Sequence, residues 1–239
     1  ARYPFHWHHA GDAPGQFIKN SSIHHSYQRC ITIHRTNKVL LQNNVCFNFK
    51  GHGYFLEDGT EIENRIIKNL AIKATAPSAN KLLLASDDIA HSEGQGRFPS
   101  VSGFWISHPN NYITHNVVSG SVGTGFWMSF EREVKDQSGN VVARPLTSAT
   151  DTFNYNTAHS MKTGITWDGA PGWQSANNPN NPNDKKITSA HYAPPVVPVF
   201  RGLRAYKNSL SGIYFRGQTA VYEKTIVADN GWSFWVAYN

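Results

Sequence analysis

Charge is scarce in this chain. Only 16% of its 239 residues are Asp, Glu, Lys or Arg, against about 25% in a typical soluble domain. Cysteine and methionine are rarer still, at two each. No run of 18 apolar residues occurs, which excludes a transmembrane helix and predicts no membrane insertion by this segment. Lys81-Leu-Leu-Leu-Ala85 is too short for a signal core, and the chain opens at Ala1 instead of Met, the mark of a processed or truncated start. Two cysteines, Cys30 and Cys46, are too few for a disulfide framework and read as buried thiols. Basic residues are scattered, with no run beyond Lys185–Lys186, so the formal charge of +6 argues for an anionic partner other than nucleic acid.

Aromatics are abundant, at 13% with seven Trp, and seven of the twelve His fall within the first 52 residues. That content excludes a disordered tail. Helical periodicity is absent. Short β-branched and aromatic runs separated by Gly, Asn and Ser dominate instead.

One pattern recurs: a small residue followed by four that alternate. Its copies are Pro4-Phe-His-Trp-His8, Cys30-Ile-Thr-Ile-His34, Gly53-Tyr-Phe-Leu-Glu57, Gly103-Phe-Trp-Ile-Ser107, Gly125-Phe-Trp-Met-Ser129, Gly164-Ile-Thr-Trp-Asp168, Gly212-Ile-Tyr-Phe-Arg216 and Gly231-Trp-Ser-Phe-Trp235. An Asn-bearing element precedes most copies, as at Asn20, Asn43, Asn69, Asn116, Asn156, Asn208 and Asn230. The short gaps cluster near 22 residues and the longer ones coincide with polar, turn-rich stretches at about 74–100, 131–150 and 170–198. The pattern predicts a single all-β domain over 1–239, a single-stranded parallel β-helix of about eight rungs with three inserted loops, each rung stacked ~4.8 Å from the next. The chain begins on a strand in mid-rung, which leaves the first core layer uncapped and predicts further chain, an additional domain, upstream.

Alternation assigns the faces. The first and third residues after the small one are apolar in every copy and form the interior. The second-position column, with Trp105, Trp127 and Tyr214, and the fourth-position column, with His8, His34, Glu57, Asp168 and Arg216, point outward. An aromatic stripe beside a titratable stripe suits a linear polysaccharide; the alternative is a secondary core covered by the inserted loops. His8, His34 and Glu57 fall on consecutive rungs. Two imidazoles and a carboxylate fit a divalent metal, a general acid/base group, or a hydrogen-bonded structural ladder. His6 shares their face, His9, Asp12 and Arg2 flank the first strand, and Asp58 supplies a second carboxylate or a turn cap. His24 and His25 are expected to face another side, one of them near the core, while His52 approaches the site from a Gly-His-Gly turn.

These residues carry a resemblance. Arg2-Tyr-Pro-Phe-His-Trp-His8 with Ala10-Gly-Asp12, Ser22-Ile-His-His25, Arg29-Cys-Ile-Thr-Ile-His34, Phe55-Leu-Glu-Asp-Gly59 and Thr124-Gly-Phe-Trp127 are similar to segments of the animal family of the cell-migration-inducing, hyaluronan-binding protein and the related cell-surface hyaluronidase. The resemblance covers nearly the whole chain. It implies a right-handed β-helix within a larger protein, with a G8 domain upstream, located outside the cell or on its surface. It also implies degradation of hyaluronan, an acidic polysaccharide. The positions carried over are Arg2, His6, His8, Asp12, His34, His52, Glu57 and Asp58. The loop after Asp12, Ala13-Pro-Gly-Gln16, and the 74–100 insertion depart from the pattern and border the predicted cleft.

The reading that follows is a glycoside hydrolase of an acidic polysaccharide. Glu57, Asp58, His34, His8 and Asp12 are the catalytic candidates, and Arg2, His6, Trp105, Trp127, Asp168, Tyr214 and Arg216 the substrate contacts. A divalent ion is placed on His8, His34 and Glu57. Arg2 and Arg216 are expected to pair with uronate carboxylates. The alternatives are a uronate lyase or epimerase, and a non-catalytic glycan-binding or adhesion module.

Overall fold

The structure is a computed structural model and describes residues 3–87, 101–168, 170–171, 187–188 and 191–237. Its backbone forms a parallel β-helix. An eight-stranded sheet runs in the order Phe5–Asp12, Ile31–Asn37, Tyr54–Leu56, Ser102–Ile106, Thr124–Met128, Thr163–Trp167, Ser211–Arg216, Trp232–Ala237. A five-stranded and a seven-stranded sheet form the other two walls. Every pairing within these three sheets is parallel. The only helical pieces among the described residues are three 3₁₀ turns, at Ala79–Lys81, Ala85–Asp87 and Pro145–Thr147.

The recurrent small residue has a steric cause. A Cβ on Gly125 would stand 2.5 Å from the Gly164 carbonyl oxygen, and one on Gly164 would stand 2.4 Å from that of Gly212. Neighbouring backbones approach there too closely for a side chain. The following apolar pairs fill the interior, where Tyr54, Phe104 and Phe126 stack at centroid distances of 4.5 and 4.8 Å. Most of the recurrent Asn residues point inward and close the backbone; Asn20 and Asn43 are exposed instead, and Asn44 takes the inward place on its rung. Asn116 Oδ1 accepts from the Asn69 amide at 2.9 Å, while Asn116 Nδ2 donates to the Ile66 carbonyl at 2.8 Å. Asn44, Asn69, Asn116 and Asn156 form one such ladder, satisfying buried groups that the turns would otherwise orphan.

Three expectations are corrected. Cys30 and Cys46 are not free thiols but a disulfide, with Cα atoms 6.1 Å apart; both side chains point inward from different sheets, at a spacing that suits a bond. The last strand pairs Ile213 with Phe234 and Tyr214 with Trp235, two residues away from the alignment on Gly231. A shift of two preserves which side chains face in, so the alternation does not distinguish the registers. His24 and His25 are both exposed and joined Nδ1 to Nδ1 at 2.9 Å; Ile23 takes the core position and His25 adopts φ 57°.

Candidate functional site

The site stands on the first three strands of the eight-stranded sheet. Parallel register sets His8 opposite His34, and the Glu57 amide donates to the Ile33 carbonyl at 3.1 Å, continuing the column. One nitrogen from each of His6, His8 and His34 lies within 4.8 Å of the others. His8 Nδ1 and His34 Nδ1 are 3.1 Å apart. The other His34 nitrogen, Nε2, is 3.0 Å from Asp58 Oδ2, and Arg35 Nε donates to the same oxygen at 2.7 Å. Asp58 therefore fixes the His34 ring, and Arg35 fixes Asp58.

A buried carboxylate underpins this turn. Glu61 accepts from the amides of Arg35 and Gly59, both at 2.8 Å, and from the Ser107 hydroxyl at 3.2 Å. Glu57 is different: its Oε2 is buried without a hydrogen bond, 3.5 Å from His34 Nδ1 and 4.0 Å from His6 Nε2. A buried carboxylate oxygen facing a group of imidazole nitrogens suits a cation or a shared proton.

The electrostatics push the members apart. Burial pushes the Glu57 carboxyl up, against the opposing charge of His34. Burial also acts upward on Asp58, but hydrogen bonds from His34 and Arg35 outweigh it and the group is held low. For His34, burial is overcome by Asp58, Glu57 and Glu61, leaving the imidazole raised. His6 is lowered, first by burial and then by His8, His34 and His9. Two adjacent carboxyls with opposite shifts are the arrangement that separates an acid from a permanent anion.

Sequence reasoning missed Arg35, Glu61 and the closeness of His9. Strict alternation turns His9 and Arg35 away from the column, yet both take left-handed conformations, φ 55° and 46°. The His9 ring consequently lies 4.4 Å from His8 and 4.6 Å from His34. Asp12 is held by Asn37 Nδ2 at 3.0 Å and by an ion pair with Lys38. Arg2 lies outside the described residues.

The open aromatic stripe is corrected. Trp105, Trp127 and Tyr214 are buried. Leu84 packs on the Phe55–Trp105–Trp127 cluster, so the inserted segment covers that part of the stripe as a secondary core, while Tyr214 packs against Trp235 and Arg216. The segment is anchored by a fully buried ion pair, Arg29 to Asp87, at 2.5 and 3.0 Å. His52, expected near the site, lies beneath this cover: its nitrogens meet Ser102 Oγ at 2.8 Å and Ser86 Oγ at 2.9 Å, and its ring lies 4.3 Å from Trp105. Asp168 and Arg216 are also buried and pair with each other at 2.7 Å; Arg216 further donates to the Tyr214 hydroxyl at 2.7 Å. Arg216 is neutralised internally and is not open to a uronate. The accessible cluster is thus the one on the first three strands.

Residues 1–165 match the family model described as the CEMIP β-helix. The chain belongs to the CEMIP β-helix family. It is 31% identical over 264 residues to the human cell surface hyaluronidase CEMIP2, covering 96% of this chain and 19% of that protein. It is 30% identical over 263 residues to the mouse cell migration-inducing and hyaluronan-binding protein, with the same coverage. To mouse fibrocystin-L it is 37% identical over 127 residues, 53% of this chain and 3% of that protein. This CEMIP-family chain spans about a fifth of the length of the first two relatives.

Proposed function

We propose that this chain is the carbohydrate-processing β-helix of a protein outside the cell or on its surface, and that it degrades an acidic polysaccharide of the hyaluronan type by hydrolysis. The names of its relatives support the polysaccharide class, and the Cys30–Cys46 bond supports an oxidising compartment. One observation carries the site: the buried, unbonded Oε2 of Glu57 facing the imidazoles of His6, His8 and His34.

Glu57, pushed up by burial, is the proton donor to the leaving glycosidic oxygen. Asp58 stays ionised and orients His34; this pair takes up one proton of the water whose hydroxyl adds to the anomeric carbon, replacing the proton that Glu57 gives to the leaving oxygen. The nitrogens of His6, His8 and His34 fit a divalent cation, and a cation held there would polarise water or neutralise a sugar carboxylate. This ligand set has His6 in place of the expected Glu57, which keeps its proton for the leaving oxygen.

A uronate lyase is the second reading. It is favoured by the Asp58–His34 pair, which resembles an oriented base. Incubation with hyaluronan separates the two: hydrolysis yields new reducing ends without ultraviolet absorbance, whereas elimination yields both. Glu57→Gln is expected to lower turnover at least a hundredfold with binding retained. Elemental analysis of the purified protein tests the cation, with about one equivalent expected and loss in His8→Ala/His34→Ala. Neither reducing ends nor absorbance from the wild type overturns the enzymatic reading.

A further inference from the structure

The seven-stranded sheet forms a flank distinct from the histidine site, and its strands carry no Asp or Glu. They run Ser22–His24, Val45–Lys50, Leu70–Thr75, Val117–Ser119, Thr157–His159, Arg204–Tyr206 and Ile226–Ala228. The turns entering these strands contain no acid either; at the far end Glu223, paired with Arg201, stands before Lys224 and Asp229 follows the last strand. Exposed cations border both edges: Lys68 and Lys224 on one, Lys73 and Lys207 on the other, with Arg204 between. All four lysines take left-handed conformations, φ 50–62°. None of the four makes an ion pair among the described residues.

The same flank offers contacts for sugar rings. At its first strands lies a shallow depression of about 470 Å³, floored by Val45 and Leu70 and rimmed by Asn20, Asn43 and Lys68. Farther along, His115 stacks on the half-exposed Tyr155 at 4.9 Å, and His159 stacks on Tyr206 at 4.8 Å with an interplanar angle of 2°. An apolar floor with amide and ammonium groups at its rim, then flat aromatic faces among unpaired cations, matches a carboxylated glycan: ring C–H faces on apolar surface, hydroxyls on amides, carboxylates on lysine. From the first strand to Lys207 the strands and entering turns carry cations and no acid, whereas a surface that merely keeps the protein soluble mixes both signs of charge.

We infer that the seven-stranded flank is a second, non-catalytic binding surface for an acidic polysaccharide, running along the solenoid axis from the Asn20–Asn43–Lys68 depression to Tyr206 and Lys207. The ligand class rests on the proposed function; the site does not share residues with it. The six strands from Ser22–His24 to Arg204–Tyr206, at ~4.8 Å spacing, give a track of roughly 24 Å.

The test is Lys68→Glu/Lys207→Glu in the 239-residue chain, both exposed positions, with folding checked by circular dichroism. Binding to immobilised high-mass hyaluronan and to polygalacturonate is measured at low and high salt, beside turnover of short hyaluronan oligosaccharides. The expected result is an affinity at least tenfold weaker for the polymer, a shallower salt dependence, and unchanged oligosaccharide turnover. Affinity equal to wild type overturns the inference, as does a wild type that binds neither polymer. A wild type that binds polygalacturonate through these lysines but does not cleave hyaluronan supports the second surface while refuting the proposed activity.

Discussion

Replacing Asp87 with Ala removes, among the described residues, the carboxylate hydrogen-bonded to the fully buried Arg29 guanidinium. The lost contacts are two charge-assisted hydrogen bonds, at 2.5 and 3.0 Å, and the carboxylate's acceptance of the Leu83 and Leu84 amides at 3.2 and 3.0 Å. Breaking one side of a buried pair costs about 3–5 kcal/mol, because the remaining charge stays desolvated. Arg29 keeps its face-on contact with Phe55, centroid 4.4 Å away, which offsets only a fraction of that. For a domain of this size each kcal/mol moves Tm by roughly 2–4 °C, so a drop of about 6–20 °C is expected. The freed segment also takes Leu84 off Trp105 and Trp127, so tryptophan emission shifts red below the melting transition. Denaturant unfolding of Asp87→Ala, Arg29→Met and the double variant forms the assay, with the double variant expected to be more stable than Asp87→Ala alone. A loss below 1 kcal/mol in Asp87→Ala, or no recovery in the double variant, refutes the anchoring role.

The buried His52, lowered to about 3, makes the fold acid-labile. Burial and then Arg29 hold it neutral while Asp87 opposes them, so the unfolded chain takes up a proton near pH 6.5 that the folded chain refuses. Stability then falls as pH drops from about 6.5 toward 3, on the order of 3 kcal/mol between pH 7 and 4, and the slope should shrink in His52→Asn. Reducing the Cys30–Cys46 bond, which closes a loop of sequence separation 16, is expected to cost about 3 kcal/mol, read as a lower denaturation midpoint in Cys30→Ser/Cys46→Ser. Asn116→Ala strands the Asn69 amide and the Ile66 carbonyl inside the ladder; at about 1–3 kcal/mol for each orphaned group, it should lose roughly 2–6 kcal/mol, whereas the exposed Asn80→Ala should lose under about 0.5.

The solenoid was legible because its cause is local and repeated. Glycine before an alternating tetrad reports a close backbone approach, and alternation reports which side chains stack inside. The juxtaposition of His8, His34 and Glu57 follows from the same period. What escaped depends on events the period does not encode. The left-handed backbones of His9 and Arg35 turn two side chains onto the site against the alternation. The covering of Trp105 and Trp127 depends on Asp87 reaching Arg29, 58 residues away, and a buried ion pair leaves no sequence signature at that distance. The Cys30–Cys46 bond was misread because two cysteines on different walls of one coil meet only once the coil closes.

On the proposed function and the inferred second surface, the two polar surfaces would divide the work that a polymer imposes. The histidine cluster occupies three strands, about 10 Å across, which is room for chemistry on one linkage but few contacts to hold a long chain. The aromatic stripe that continues the same face cannot extend it, since Leu84 and the Arg29–Asp87 pair close it over. A long polymer held only at the cluster would leave after each encounter. The cationic seven-stranded flank offers the missing length, and ligand bound there keeps nearby linkages at high effective concentration around Glu57 without touching them. On this account polymer length, more than the fit of a single linkage, sets affinity. Long hyaluronan should bind far more tightly than short oligosaccharides, and that difference should vanish at high salt, where the flank's exposed lysines are screened and the half-buried Glu57 much less so.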